Sequence, residues 1–492
     1  MKTHLNIFLT IGLLVHGVLA MAQLSLVTSA KQGNIDDVSA MLKQGVDVNH
    51  TDNDGTSALH WAAHWDNQEI AKLLIQNNAD TNLANAYGVT PLYLACTNKN
   101  TDMVEALLNA GATTNTKLWS GETPLMNCAS RGAAAAVKLL LDAGADANAT
   151  EQEKGQTVLM WAAAKGHAEV VKVLIENGAK VSTESRNGFT PLLFAAISGD
   201  VETAKLLVEA GADPNESTVE TGNSLVVASA SGHEALSIYL LQQAAESDSS
   251  DQYGVTALHN SIRNGMSTVN GVRYDAVYRV RPDNMRSLTK SLLEAGADPN
   301  AKIQKSHRLG PDGSAFEMTY ATPLILSALS SDVELMHLLT EYEADTSLTA
   351  KGGVTPLIAA AQAACTGSCA FQGGNQSNSE KNRLALEAVK AAVNMGVDIN
   401  ARTEKGQTAM HMAAFIGADD IVQFLADQGA DVNVSDNYGE TPWSMASGIS
   451  PVIRYQGLYG KHESTAQLLL KLGAKVVSRD QMDDRSPPPP GQ

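Results

Sequence analysis

A period of 33 residues governs this chain. Leu24, Ser57, Thr90, Thr123, Thr157, Thr190, Asn223, Thr256, Thr322, Thr355, Thr408 and Thr441 open comparable apolar stretches, at intervals of 33, 33, 33, 34, 33, 33, 33, 66, 33, 53 and 33 residues. A fixed period of this length confines the fold to an array, because a unit so small closes its apolar face only against its neighbours. Length alone, 492 residues, would give about three globular domains; the period replaces them with one elongated series of twelve repeats. Composition agrees. Apolar residues make up 44% and aromatics only 5%, so the core has to be closed by Ala, Leu and Val on closely spaced elements.

The residue logic inside a repeat predicts two helices. In Gly188-Phe189-Thr190-Pro191-Leu192 a turn leads to Thr as the helix cap and Pro at the first helical position. A short Ala-rich helix follows, then a turn at Gly199-Asp200. A second helix over 201–210 carries apolar residues at i, i+3 and i+4. Gly211 ends it in a left-handed conformation, and Asp213-Pro214-Asn215 leads into the next turn.

Ser57-Ala58-Leu59-His60, Thr90-Pro91-Leu92, Thr123-Pro124-Leu125 and Thr190-Pro191-Leu192 make the chain resemble ankyrin-repeat proteins. So do the loops Gly211-Ala212-Asp213-Pro214-Asn215, Gly296-Ala297-Asp298-Pro299-Asn300 and Gly429-Ala430-Asp431-Val432-Asn433. The resemblance covers about residues 24–478. It implies a mainly α fold, an α-solenoid of about twelve stacked helix-turn-helix units with short hairpin loops. The fold hosts many functions; for this chain the expectation is a non-catalytic, monomeric scaffold for a protein partner, with no cofactor. Only His60, His259 and His411 keep the family's His after Leu. The seventh repeat, at Asn223-Ser224-Leu225, is degenerate, and weaker local stacking is expected there.

Residues 1–22 read as a signal peptide of bacterial type. Lys2 and His4 form a basic start, Leu5 to Leu19 is mostly apolar, and Ala20-Met21-Ala22 is a small-x-small cleavage site. The apolar run is shorter than the roughly 20 residues of a membrane span, with a retained N-terminal anchor as the alternative. The expectation is export to the periplasm or outside the cell, without stable membrane insertion. Residues 23–478 form the array, and the Pro-rich tail 479–492 is expected to be disordered. The formal charge of −18, from 35 Lys+Arg against 53 Asp+Glu, repels phosphate backbones and argues against nucleic-acid binding.

Inserts break the pattern at about 266–284, 301–316, 365–384 and 451–461. Three of them lie between the two helices of repeats eight, ten and twelve, so they would project from one side. Val272-Arg273-Tyr274-Asp275-Ala276-Val277-Tyr278 parallels Ile453-Arg454-Tyr455-Gln456-Gly457-Leu458-Tyr459. Two readings stand: these residues pack each insert onto its own helix pair, or Arg273, Tyr274, Tyr278, Arg454, Tyr455 and Tyr459 form matched recognition elements. Residues 259–310 carry nine cations and four acids, a net +5. That stretch, with Arg279 and Arg281, either neutralises acidic neighbours or binds an anionic small ligand or glycan. Cys365 and Cys369 would form a small disulfide in an oxidising compartment, whereas Cys96 and Cys128 read as buried packing residues.

Catalytic patterns are missing: there is no phosphate loop with Lys-Ser/Thr, no G-x-S-x-G and no H-E-x-x-H. His60 and His64 have a metal-compatible spacing, but His60 matches the family's structural His and no third ligand is evident. His167 and His233 follow Gly and would serve the turn between helices. No catalytic or metal-binding residue is assigned. Partner anchors are expected at the turn tips, Tyr87, Tyr253 and Tyr438, and late in the first helices, at Trp65, Ile197, Leu329, Phe415 and Ile416, along a concave face. Trp61 and Trp161, one turn earlier, read as core.

Overall fold

A computed structural model describes residues 26–262, 283–305, 319–363, 378–449 and 461–478, together with Met482. Each repeat is built from the same local rules. Thr190, in extended backbone, accepts the Leu193 N–H through its hydroxyl, and Pro191 opens the first helix, Pro191–Ser198. Thr90, Thr123 and Thr322 do the same before Pro91, Pro124 and Pro323. A missing N–H costs nothing at that position, because the first turn of a helix has no acceptor for it. Asp200 then caps the second helix, Val201–Glu209, accepting the Thr203 N–H at 2.7 Å. The helix ends at Gly211 with φ 97°, where the following Ala212 N–H turns back to the Leu207 carbonyl at 3.0 Å.

The chain divides into two compact units, residues 1–218 and 219–492. The division falls at the start of the degenerate seventh repeat, where Asn223 takes over the capping role and accepts the Val226 N–H at 3.1 Å. In the N-terminal unit the first helices Ala58–His64, Pro91–Thr97, Pro124–Ser130, Val158–Ala164 and Pro191–Ser198 pack on one another in chain order. The second helices Gln68–Gln76, Thr101–Asn109, Ala134–Asp142, Ala168–Glu176 and Val201–Glu209 make the other layer. The C-terminal unit repeats the scheme, from Ser224–Ser231 and Glu234–Gln242 to Pro442–Ser447 and Glu463–Lys471. Two short strands, Ser217–Thr218 and Gly222–Asn223, are the strand elements among the described residues.

The core follows the composition. Leu59, Ala62, Ala63, Ile70, Ala71 and Leu74 of the second repeat are all buried, as are their counterparts Leu92, Ala95, Cys96, Met103, Val104 and Leu107 in the third. Small residues on the first helix let the next one approach, and each large aliphatic taken from water contributes about 1.5–3 kcal/mol. Polar groups stitch repeats as well. Asn49 accepts the Asp80 N–H (2.7 Å), Asn82 the Thr113 N–H (2.7 Å), Asn115 the Asp146 N–H (3.0 Å) and Asn148 the Lys180 N–H (2.9 Å). Asn82, Asn115 and Asn148 also donate to the Gly111, Gly144 and Gly178 carbonyls at 3.0 Å. The Asn that the sequence placed before a turn is therefore a rivet between successive loops.

One expectation is corrected here. Cys96 and Cys128 are buried, but they are joined as a disulfide with Cα atoms 4.5 Å apart. Stacking brings equivalent faces of adjacent first helices together, so two cysteines 32 residues apart become neighbours. In repeat ten the second helix runs from Asn378 to Asn394, 17 residues against 9 in Val201–Glu209, so the last part of the segment 365–384 extends that helix at its N-terminal end. His167 serves the turn between helices twice: its backbone N–H donates to the Ala162 carbonyl at 3.1 Å, and its Nε2–H to the Ser130 carbonyl at 3.0 Å, at the corresponding turn one repeat upstream.

Candidate interaction surface

The three family histidines are structural. His60 Nδ1 accepts the Ser57 backbone N–H at 3.1 Å, which leaves Nε2 to donate to the Val89 carbonyl of the next repeat at 2.9 Å. His259 does the same with Thr256 and Ala301, and His411 with Thr408 and Glu440. Both ring nitrogens are engaged, so the His60/His64 pair offers no free His60 ligand. Burial pulls all three imidazoles below their ordinary value of 6.5, His259 to about 4. Among the described residues there is no group of three or more metal-ligating side chains, and no helix is long and apolar enough to cross a membrane.

Exposure separates the predicted anchors. Trp65 is 59% exposed, Tyr87 68% and Ile197 46%. Tyr253, Phe415, Ile416 and Tyr438 are half-buried. Leu329 is buried, against expectation, because it packs into the first-helix layer of its unit rather than facing solvent. Arg273, Tyr274, Tyr278, Arg279, Arg281, Cys365, Cys369, Arg454, Tyr455 and Tyr459 lie outside the described residues. Of the basic stretch, Arg286 is described, and it is ion-paired with Asp332 at 3.0 Å and with Glu334. At that residue neutralisation of acidic neighbours is what the structure supports.

Two surface aromatics, Trp119 and Tyr320, were not found from the sequence. Trp119 is 81% exposed at the hairpin tip before Gly121. The residue just before Gly at this tip is Ser120, and Trp119 sits one residue earlier. A Cβ on Gly88 would lie 3.4 Å from the Trp119 ring, so Trp119 stands next to the tip that carries Tyr87. At the start of the array Trp65 stacks on Trp61, with centroids 6.4 Å apart, and meets His64 edge-on at 4.6 Å. The Lys31 ammonium caps Trp61 at 4.5 Å.

Trp61 and Trp161 are not wholly core. Each is half-buried, and their indole N–H groups, with that of Trp443, are shielded from water without an acceptor. Trp161 lines a groove of about 420 Å³ with Ser130, Arg131, Gln156, Met160, Ala164, Lys165 and Phe194. The groove lies within the N-terminal unit, across the first helices of repeats four, five and six. Next to it, burial pushes the Tyr93 hydroxyl upward in pKa, and Glu122, which accepts its proton at 2.9 Å, reinforces the shift.

Stacked helix pairs with capping Thr-Pro turns, and aromatics on tips and first helices, define a helical repeat protein of the α-solenoid class. A family model described as ankyrin repeats (3 copies) matches residues 26–118, 125–218 and 379–480, more than half of the chain. The chain belongs to the ankyrin-repeat family. It is 31% identical over 97 residues to serine/threonine-protein kinase 12 of Arabidopsis thaliana, covering 19% of this chain and 21% of that protein. It is 33% identical over 103 residues to neurogenic locus notch homolog protein 1 of Homo sapiens, covering 21% of this chain and 4% of that one. Putative ankyrin repeat protein L271 of Acanthamoeba polyphaga mimivirus is 38% identical over 66 residues, 13% of this chain and 9% of that protein. The chain thus spans at most about a fifth of the length of these relatives. Ankyrin repeats are in general protein–protein interaction modules and non-catalytic scaffolds.

Proposed function

We propose that this protein is a non-catalytic scaffold that is exported from the cell and binds a protein partner through its hairpin tips and first helices. The observation that carries the reading is the placement of Trp65, Tyr87 and Trp119, all exposed, in a chain with only 5% aromatics. Large rings in water cost free energy unless a partner covers them, and aromatics are favoured at interface hot spots. The Cys96–Cys128 disulfide fits an oxidising compartment and thereby supports export. Photocrosslinking groups at position 119 and, as a control, at the exposed second-helix position Glu202 test the binding reading. Protein adducts at 119 and none at 202 are expected; equal labelling, or none at 119, would sink it. Export is tested by N-terminal sequencing of the chain recovered from its own cells, which is expected to begin at Gln23 rather than Met1.

A further inference from the structure

The groove over the fifth repeat combines an apolar lining with two cations. Its floor is apolar, made by Met160, Trp161, Ala164 and Phe194, and its rim carries Arg131 and Lys165. Both cations are exposed, and neither has an ion-pair partner among the described residues. What sets the two apart from other surface cations is their position, since both line the same apolar groove. Gln156 and Ser130 add neutral hydrogen-bonding groups to the lining. The volume, about 420 Å³, falls near the lower end of ligand pockets, which suits one bulky side chain and its flanking backbone.

We propose that this groove binds a short segment of a protein partner in which an aromatic or large aliphatic residue is flanked by Asp or Glu. The apolar side chain displaces water from the Met160–Trp161–Phe194 floor, and the flanking carboxylates meet Arg131 on one rim and Lys165 on the other. Charge decides the register. The net −18 of the chain disfavours an acidic segment over most of the surface, so the two cations lining this apolar groove mark where it docks. The inference rests on the scaffold reading above and assigns that scaffold a particular ligand chemistry.

A random peptide library displayed on phage, selected against the full-length protein, tests it. Selected peptides are expected to share an apolar residue flanked by acids. In fluorescence titrations they should bind the Arg131→Glu/Lys165→Glu protein on the order of tenfold more weakly or worse, since two exposed attractions become repulsions. Both substitutions are at exposed positions, and an unchanged far-UV spectrum and melting profile verify the fold. Trp161→Ala should weaken binding separately, by removing the floor. Peptides without acids, or peptides indifferent to the charge reversal, would overturn the groove assignment and leave the scaffold reading standing. Failure to enrich any peptide would count against both. If phenylpropionate displaced a selected peptide at equal concentration, the occupant would be a small carboxylate and the peptide assignment wrong.

Discussion

His259 makes the stability of the C-terminal unit depend on pH in a calculable way. Its ring is completely buried, with Nδ1 accepting the Thr256 N–H at 3.2 Å and Nε2–H donating to the Ala301 carbonyl at 3.1 Å. A second proton would have to enter at Nδ1, displacing the N–H it accepts and placing a charge where no water reaches it. Desolvation is the largest cause, and it lowers the pKa from 6.5 to about 4. The folded value lies below the unfolded one, so the unfolded chain binds the extra proton first. Stability from this group is fully present above pH 6.5 and is lost as pH falls toward 4. A displacement of that size is worth about 3 kcal/mol, and roughly 2–3 kcal/mol of it disappears between pH 7.5 and 4.5. Guanidinium melts of the wild type and of His259→Gln at both pH values isolate the effect from the carboxylates the two share. At pH 7.5 the variant should be the less stable, having lost a buried pair of hydrogen bonds. At pH 4.5 the gap should shrink by that 2–3 kcal/mol. A gap that stays constant across the range would refute the assignment of a neutral, desolvated His259. His60 and His411 are shifted in the same direction by the same cause and add to the slope in both proteins equally.

Further outcomes follow from other contacts. Replacing both Cys96 and Cys128 by Ala removes a cross-link over 32 residues and should destabilise the N-terminal unit by about 3–4 kcal/mol on loop entropy, read as a lower melting midpoint. Mass spectrometry of the unreduced wild type should find these two thiols resistant to alkylation. Asn115→Ala deletes the bonds to the Asp146 N–H and the Gly144 carbonyl. It should cost about 1–3 kcal/mol and raise hydrogen exchange at Asp146. Gly121→Ala should be clearly worse than Gly111→Ala. Both glycines have positive φ, but a Cβ at 121 would sit 2.7 Å from the Gln152 backbone nitrogen, whereas at 111 it meets nothing within 4 Å. The second substitution costs only the conformational penalty of about 1 kcal/mol, and thermal melts rank the two. Trp119→Ser, at an exposed site, should change stability by no more than about 0.5 kcal/mol while reducing crosslinking at neighbouring tips.

Much of this protein was legible because its information is local. Thr190-Pro191 specifies a helix start through one hydroxyl and one ring, Gly211 specifies its end through one backbone angle, and a period of 33 states that such units stack. His60, read as the family's structural His, pairs with Ser57 three residues before it. The candidate surface was only partly legible. Tyr87 and Trp65 were found from their place in the repeat, but Leu329, at a comparable place, is buried. Trp119 was missed because its tip has one more residue between the ring and Gly.

The sequence by itself determined the repeat, the cap chemistry, the helix ends and the excess of negative charge, all of which depend on a residue and its near neighbours along the chain. Tertiary structure decided what depends on stacking. It bonded Cys96 to Cys128, turned His167 onto the preceding repeat, neutralised Arg286 with Asp332 and Glu334, and left Arg131 and Lys165 unpaired around Trp161. Each of these bonds and ion pairs joins residues at least 32 positions apart in the chain, and the groove brings Arg131 to Trp161 across 30. The period says which repeat lies beside which, but not how far or at what angle each side chain reaches across, and those distances set which partner it finds.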